Sequence, residues 1–209
     1  MSNESSQPNS PSGASGDGPG SITQQVHYSH LSARLPEKIN RGTFATNVLV
    51  LGGAQELVCD FLLRMVPPAQ LAARVVLPYS ALGPVVSAVA ENLESFKARF
   101  GAPPVLPPPP PNAPPPNIAE VYEQMKTPDE IVVGAYANTL MITHTAAEFC
   151  LDFILDAFPR PVVTNRIYLS APQIAPWLET LKRTLAQYQA RLAGGLPPTQ
   201  TPPPRPPET

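Results

Sequence analysis

Apolar and polar positions along this chain follow one order, and they follow it twice. "FATNVLVL" (residues 44–51) reads as an apolar strand, and "GGAQ" turns it. In the next segment Leu57, Cys59, Phe61 and Leu63 fall on one side while Val58, Asp60 and Leu62 fall on the other, the period of two that marks a strand. Pro67 breaks that run, "ARVVL" supplies a short third strand, and Val85, Val86, Val89, Leu93, Phe96 and Phe100 then return at helical spacing. Further along, "YANTLMITH", "THTAA", the alternating Phe149, Leu151, Phe153 and Leu155, a break at Pro159, and "NRIYL" repeat the order. A second helical stripe of Trp177, Leu178, Leu181, Leu185, Tyr188 and Leu192 closes it. Ser170 and Gln173 have the spacing of a capping box, and Pro84 and Pro176 predict a delayed or kinked helix start.

Shifting the chain against itself by 92 residues aligns Gly42–Gly101 with Gly134–Ala193 without a gap. Fourteen of the sixty pairs are identical, against about four expected from average residue usage. They include Gly42/Gly134, Ala45/Ala137, Glu56/Glu148, Asp60/Asp152, Phe61/Phe153, Arg74/Arg166, Pro84/Pro176 and Arg99/Arg191. The fold class this implies is α+β: two tandem β-β-β-α repeats with antiparallel sheets and one long helix each. A unit of that size buries too little apolar surface to stand alone, so the two are expected to share a core as a pseudo-dimer.

Composition sets the boundaries. Residues 1–24 are rich in Ser, Gly, Pro and Asn and carry no aromatic residue, so they read as a disordered arm. Residues 25–101 form the first repeat, the proline-rich 102–117 a linker, 118–194 the second repeat with a short helical return in "IAEVYEQMK", and 195–209 a proline-rich tail. At about 3.1 Å per residue the linker reaches roughly 50 Å, enough for the copies to pair in any orientation. "TPPPRPPET" and Pro107–Pro111 read as spacers, or alternatively as ligands for aromatic grooves.

The second copy resembles a family. "AYANTLMITHTAAEFCLDF" and "RIYLSAPQIAPWLETLKRTLAQYQ" are similar to the bacterial domain of unknown function 3467 family, through Tyr136, Ala137, Asn138, Thr143, His144, Glu148, Phe149, Asp152, Phe153, Arg166, Leu169, Ser170, Leu178, Leu181 and Tyr188. The first copy carries Phe44, Thr46 and Gly52 where the second has Tyr136, Asn138 and His144. The resemblance implies a fold unit and assigns no catalytic residue. Family members usually carry basic residues early in the final helix, whereas Ala175 and Pro176 stand there in this chain.

Candidate chemistry is sparse. Asp60 with Arg74 and Asp152 with Arg166 recur on neighbouring strands and predict ion pairs, read as structural or interface pairs rather than as a ligand site. His27, His30, His144 and the non-equivalent Cys59 and Cys150 make a poor zinc set, so no metal or cofactor is expected. Cys150 has no orienting group for nucleophilic work, no phosphate loop or hydrolase elbow is present, and the chain reads as non-enzymatic. The unpaired thiols, the absence of an apolar run long enough to span a membrane and the absence of a secretory pattern point to the cytoplasm. Function is therefore expected to be protein interaction or assembly with an unknown protein partner, with further homo-oligomerisation open. The alternative is single-stranded nucleic-acid binding on the paired units. Each repeat, however, is nearly neutral: Arg41, Arg64, Arg74, Lys97 and Arg99 face Glu56, Asp60, Glu91 and Glu94 in the first.

Overall fold

A computed structural model describes residues 33–107, 117–157 and 159–194. Expectations for the N-terminal arm, for His27 and His30, for the middle of the linker and for the tail lie outside the described residues. The first copy runs α1 (Glu37–Asn40), β1 (Thr43–Ala45), β2 (Asn47–Gly52), β3 (Glu56–Leu63), β4 (Gln70–Pro78) and α2 (Tyr79–Phe100). The second runs α3 (Ile118–Gln124), α4 (Asp129–Val132), β5 (Ala135–Tyr136), β6 (Thr139–His144), β7 (Glu148–Leu155), β8 (Val162–Ser170) and α5 (Ala171–Leu192). The duplicated α+β fold and the two long helices match the sequence pattern.

The first strand of each copy is not one strand. It bends at Thr46, or at Ala137–Asn138, and its two halves enter different sheets. One sheet has the order β2-β3-β4-β5 and the other β1-β8-β7-β6. Three strands of each are antiparallel, as expected, but the fourth comes from the other copy and is parallel: Phe44 pairs with Tyr168 and Tyr136 with Val76. Side chains at the bend hold it. Thr46 donates from its backbone N–H to Leu62 O at 2.8 Å and accepts the Arg64 N–H at 2.9 Å. Asn138 does the same job in the second copy, donating to Ile154 O at 3.0 Å and accepting the Asp156 N–H at 2.7 Å.

The segment ahead of each bend also crosses over. Arg34 bridges to Val162, and Lys126 bridges to Gln70 at the equivalent place. The expected repeat boundaries therefore divide the sequence but not the space, because residues 118–136 pack on the first copy's sheet. Leu62 and Leu71, on the outward face of that sheet, are buried under Met125, Tyr122 and Ile131. The structural equivalence also begins further upstream than Gly42/Gly134, since α1 and α4 align residue for residue.

The inward faces of both sheets and the apolar stripes of both helices make one core. Phe61 and Phe153, equivalent residues, meet edge to face at 5.7 Å, so the copies touch through the same position, as the two halves of a twofold dimer do. Trp177 packs on Phe61 at 6.0 Å. Full burial of each such side chain stabilises the fold by about 1.5–3 kcal/mol, and both copies supply those residues.

Two local expectations are corrected. Ser170 stands at the N-cap but its side chain makes no capping hydrogen bond. Pro84 and Pro176 do not delay the helices, which begin five residues earlier at Tyr79 and Ala171 and run through them. Each proline sits within the second turn, so one carbonyl loses its partner, and the small Gly83 and Ala175 before them limit the clash with the proline ring.

Candidate functional site

Because side chains alternate across a strand, the cross-strand register decides which residues share the outward faces. On the sheet that ends in β1, Phe44, Tyr168, Cys150 and Thr143 lie in one row across β1, β8, β7 and β6. The equivalent row on the other sheet is Tyr136, Val76, Val58 and Leu51. Phe44 is 42% exposed and Tyr136 46%, although both are large apolar rings. The remaining members of the second row are half-buried.

The next position along each face carries the repeated ion pair. Asp60 is fully buried and receives Arg74 through two parallel hydrogen bonds, Nε to Oδ1 and Nη2 to Oδ2, both 2.7 Å. Asp152 receives Arg166 in the same way at 2.6 and 2.7 Å. Arg74 then spends Nη1 on Val132 O at 2.8 Å, and Arg166 Nη1 reaches Asn40 O at 3.5 Å, so each pair also holds the crossing segment of the other copy. Hydrogen bonding to the carboxylates raises both arginine pKa values. The Tyr122 hydroxyl donates to Asp60 Oδ2; burial first, and that bond second, push the tyrosine's pKa up. Sequence reasoning missed Tyr122, which comes from 62 residues away. Gly42 (φ 67°) and Gly134 (φ 78°) pass over these arginines, and a Cβ on them would stand 2.9 Å from Arg166 Cγ and 2.8 Å from Arg74 Cγ.

The family-motif residues do not gather at one point. Tyr136 is in an outward row, Asn138 holds a bend, Phe153 is in the core, and Asp152 pairs with Arg166. Only His144 and Glu148 sit together, around the β6–β7 turn. His144 packs among Phe96, Phe100 and Phe149 at 5.6, 6.0 and 5.1 Å, with Nδ1 buried and without a partner among the described residues. Glu148 Oε2 accepts the Thr145 hydroxyl at 2.9 Å. A cleft of about 380 Å³ runs from this turn onto Phe44, Cys150 and Tyr168.

Other depressions lie elsewhere among the described residues. One of about 570 Å³ lies between residues 64–69 and α3. A polar one of about 430 Å³ lies at the join of the copies, with Lys38, Glu130, Thr164 and Asn165 on its walls.

Cys59 is buried and its thiol is pushed up to about 12, and burial also raises Cys150, with Asp152 adding to it, so neither is poised as a thiolate. Among the described residues no three His, Cys, Asp or Glu side chains gather as a ligand set, and no helix is long and apolar enough to cross a membrane. A family model described as protein of unknown function (DUF3467) matches residues 1–102 and again 109–194. No curated protein matches the chain.

Proposed function

The chain belongs to the DUF3467 family in two tandem copies, and on that premise we propose that it is a non-enzymatic protein-interaction module, docking another protein on the outward sheet faces. One observation carries this reading. Two equivalent rows, each led by a large ring more than two-fifths exposed, lie at corresponding places on the two sheets. The core already contains Phe61, Phe153 and Trp177, so packing of the fold itself does not call for Phe44 and Tyr136 at the surface.

The test is affinity capture with cross-linking, comparing the natural chain with Phe44→Asp plus Tyr136→Asp. A defined protein recovered in stoichiometric amount with the first and lost with the second is expected. Identical recoveries from both overturn the reading.

Single-stranded nucleic acid is the second reading, favoured by the outward rings Phe44, Tyr168 and Tyr136, which have the chemistry of base-stacking platforms. Against it, Arg74 and Arg166, the arginines on those faces, are each neutralised by an aspartate. Fluorescence anisotropy with labelled oligothymidylate and oligouridylate at low salt decides between the two. Micromolar binding that falls steeply with salt replaces the protein-docking reading.

A further inference from the structure

The two outward rows are equivalent in position but not in chemistry. Leu51, Val58 and Val76 on one sheet stand where Thr143, Cys150 and Tyr168 stand on the other, so behind its leading Tyr136 one row is aliphatic, while behind Phe44 the other carries a second ring with hydroxyl and thiol groups. The turns beside them differ more. Glu56 and Glu148 are identical residues opening the second strand of each copy. On the Glu56 turn a cation is present, because Arg191 Nη1 donates to Gly53 O at 3.4 Å. Its counterpart in the other copy, Arg99, makes no such hydrogen bond among the described residues, and its guanidinium stands 5.1 Å from the centroid of Phe100.

Glu148 is left with one oxygen on Thr145 and the other without a partner among the described residues, at the edge of an aromatic cleft. Arg166, also on that face, has both carboxylate-facing nitrogens on Asp152. An anion beside two adjacent rings, with no lysine or arginine paired to it among the described residues, is complementary to an incoming cation that lies flat on the rings and meets the carboxylate.

The geometry points to a receptor site for a positively charged side chain, an arginine of the docked protein, in the cleft formed by Phe44, Tyr168 and Glu148. This rests on the protein-docking reading and gives that partner its chemistry. The guanidinium would stack on Phe44 or Tyr168 and donate to Glu148, with Thr143 nearby as a hydroxyl acceptor.

The experiment is an NMR titration of the full chain with N-acetyl-arginine N-methylamide. N-acetyl-citrulline N-methylamide serves as the uncharged isostere and N-acetyl-leucine N-methylamide as the apolar control. The arginine probe is expected to shift resonances of Phe44, Thr143, Glu148 and Tyr168 with millimolar affinity, and the citrulline probe to bind about tenfold more weakly. Glu148→Gln, which keeps the size and the Thr145 contact, is expected to lower arginine affinity about fivefold while the resonances of the core stay in place. Phe44→Leu supplies the independent loss of one ring. Equal binding of all three probes at these residues overturns the arginine site and leaves apolar protein docking standing. Absence of any shift up to tens of millimolar overturns the site as well, while the capture experiment on Phe44 and Tyr136 still judges the docking reading separately.

Discussion

At the scale of single residues, the paired acids and arginines do the most with the fewest atoms. Both carboxylates are buried, so removing either one leaves a guanidinium short of its partner; Asp152→Ala is expected to cost about 3 kcal/mol by urea denaturation. Replacing both members, Asp152→Leu with Arg166→Met, is expected to recover most of that loss, because the penalty comes from the unpaired charge. A second residue-scale expectation concerns alkali. Cys59 titrates at 9.0 ordinarily and near 12 when folded, so between those values the unfolded chain releases a proton that the folded chain keeps, and stability falls with rising pH. Over that window the natural chain should lose about 1.4 kcal/mol per pH unit more than Cys59→Ala does, read from urea midpoints. The ion pairs were legible in the sequence because the duplication wrote them twice, Asp60 with Arg74 and Asp152 with Arg166. Tyr122 was not, since nothing in its local spacing says that it reaches Asp60.

Secondary-structure elements show why the diverged motif positions differ. Thr46 replaces Asn138 and still brackets the end of the following strand, so the bend survives a change of residue type. Gly52 replaces His144, and the lost ring is made up from another element: Tyr79 places its hydroxyl near Gly52 and stacks on Tyr188 at 4.1 Å, whereas its counterpart in the second copy is Ala171. Both pairs thus set an aromatic of one copy's helix, Phe96 or Tyr188, against a ring of the other copy, His144 at the end of β6 or Tyr79 at the start of α2. Asn138→Ala is expected to destabilise by about 1–2 kcal/mol, through loss of the two side-chain bonds to Asp156. Pro84 is exposed and inside a helix, so Pro84→Ala should restore a hydrogen bond to Ser80 O and raise stability by about 1 kcal/mol in thermal unfolding. Helical stripes and strand alternation were legible from periodicity alone. The bend escapes that reading: Phe44 to Leu51 reads as one strand, although the polar Thr46 and Asn47 interrupt it where its halves part, one to pair with the other copy.

For the molecule as a whole, the duplication makes each copy a scaffold for the other. Each donates a short parallel strand, a crossing segment and a helix face, and each arginine pair fastens the segment that crosses onto it. The shared core was foreseeable from the small size of one repeat, but the exchange was not, since a sequence repeat marks where copies begin and end and says nothing of where they pack. The same interlock fixes the relation of the two outward rows, and so the spacing between Phe44 and Tyr136 that the proposed docking would use. Thermal unfolding followed by circular dichroism on residues 117–194 alone, at dilutions where sedimentation shows a monomer, tests the interlock most directly. The account predicts no cooperative transition, because β5 loses β4, the edge of β8 loses β1, and β6 and α5 lose α2; a sharp two-state melt of that monomer would contradict it.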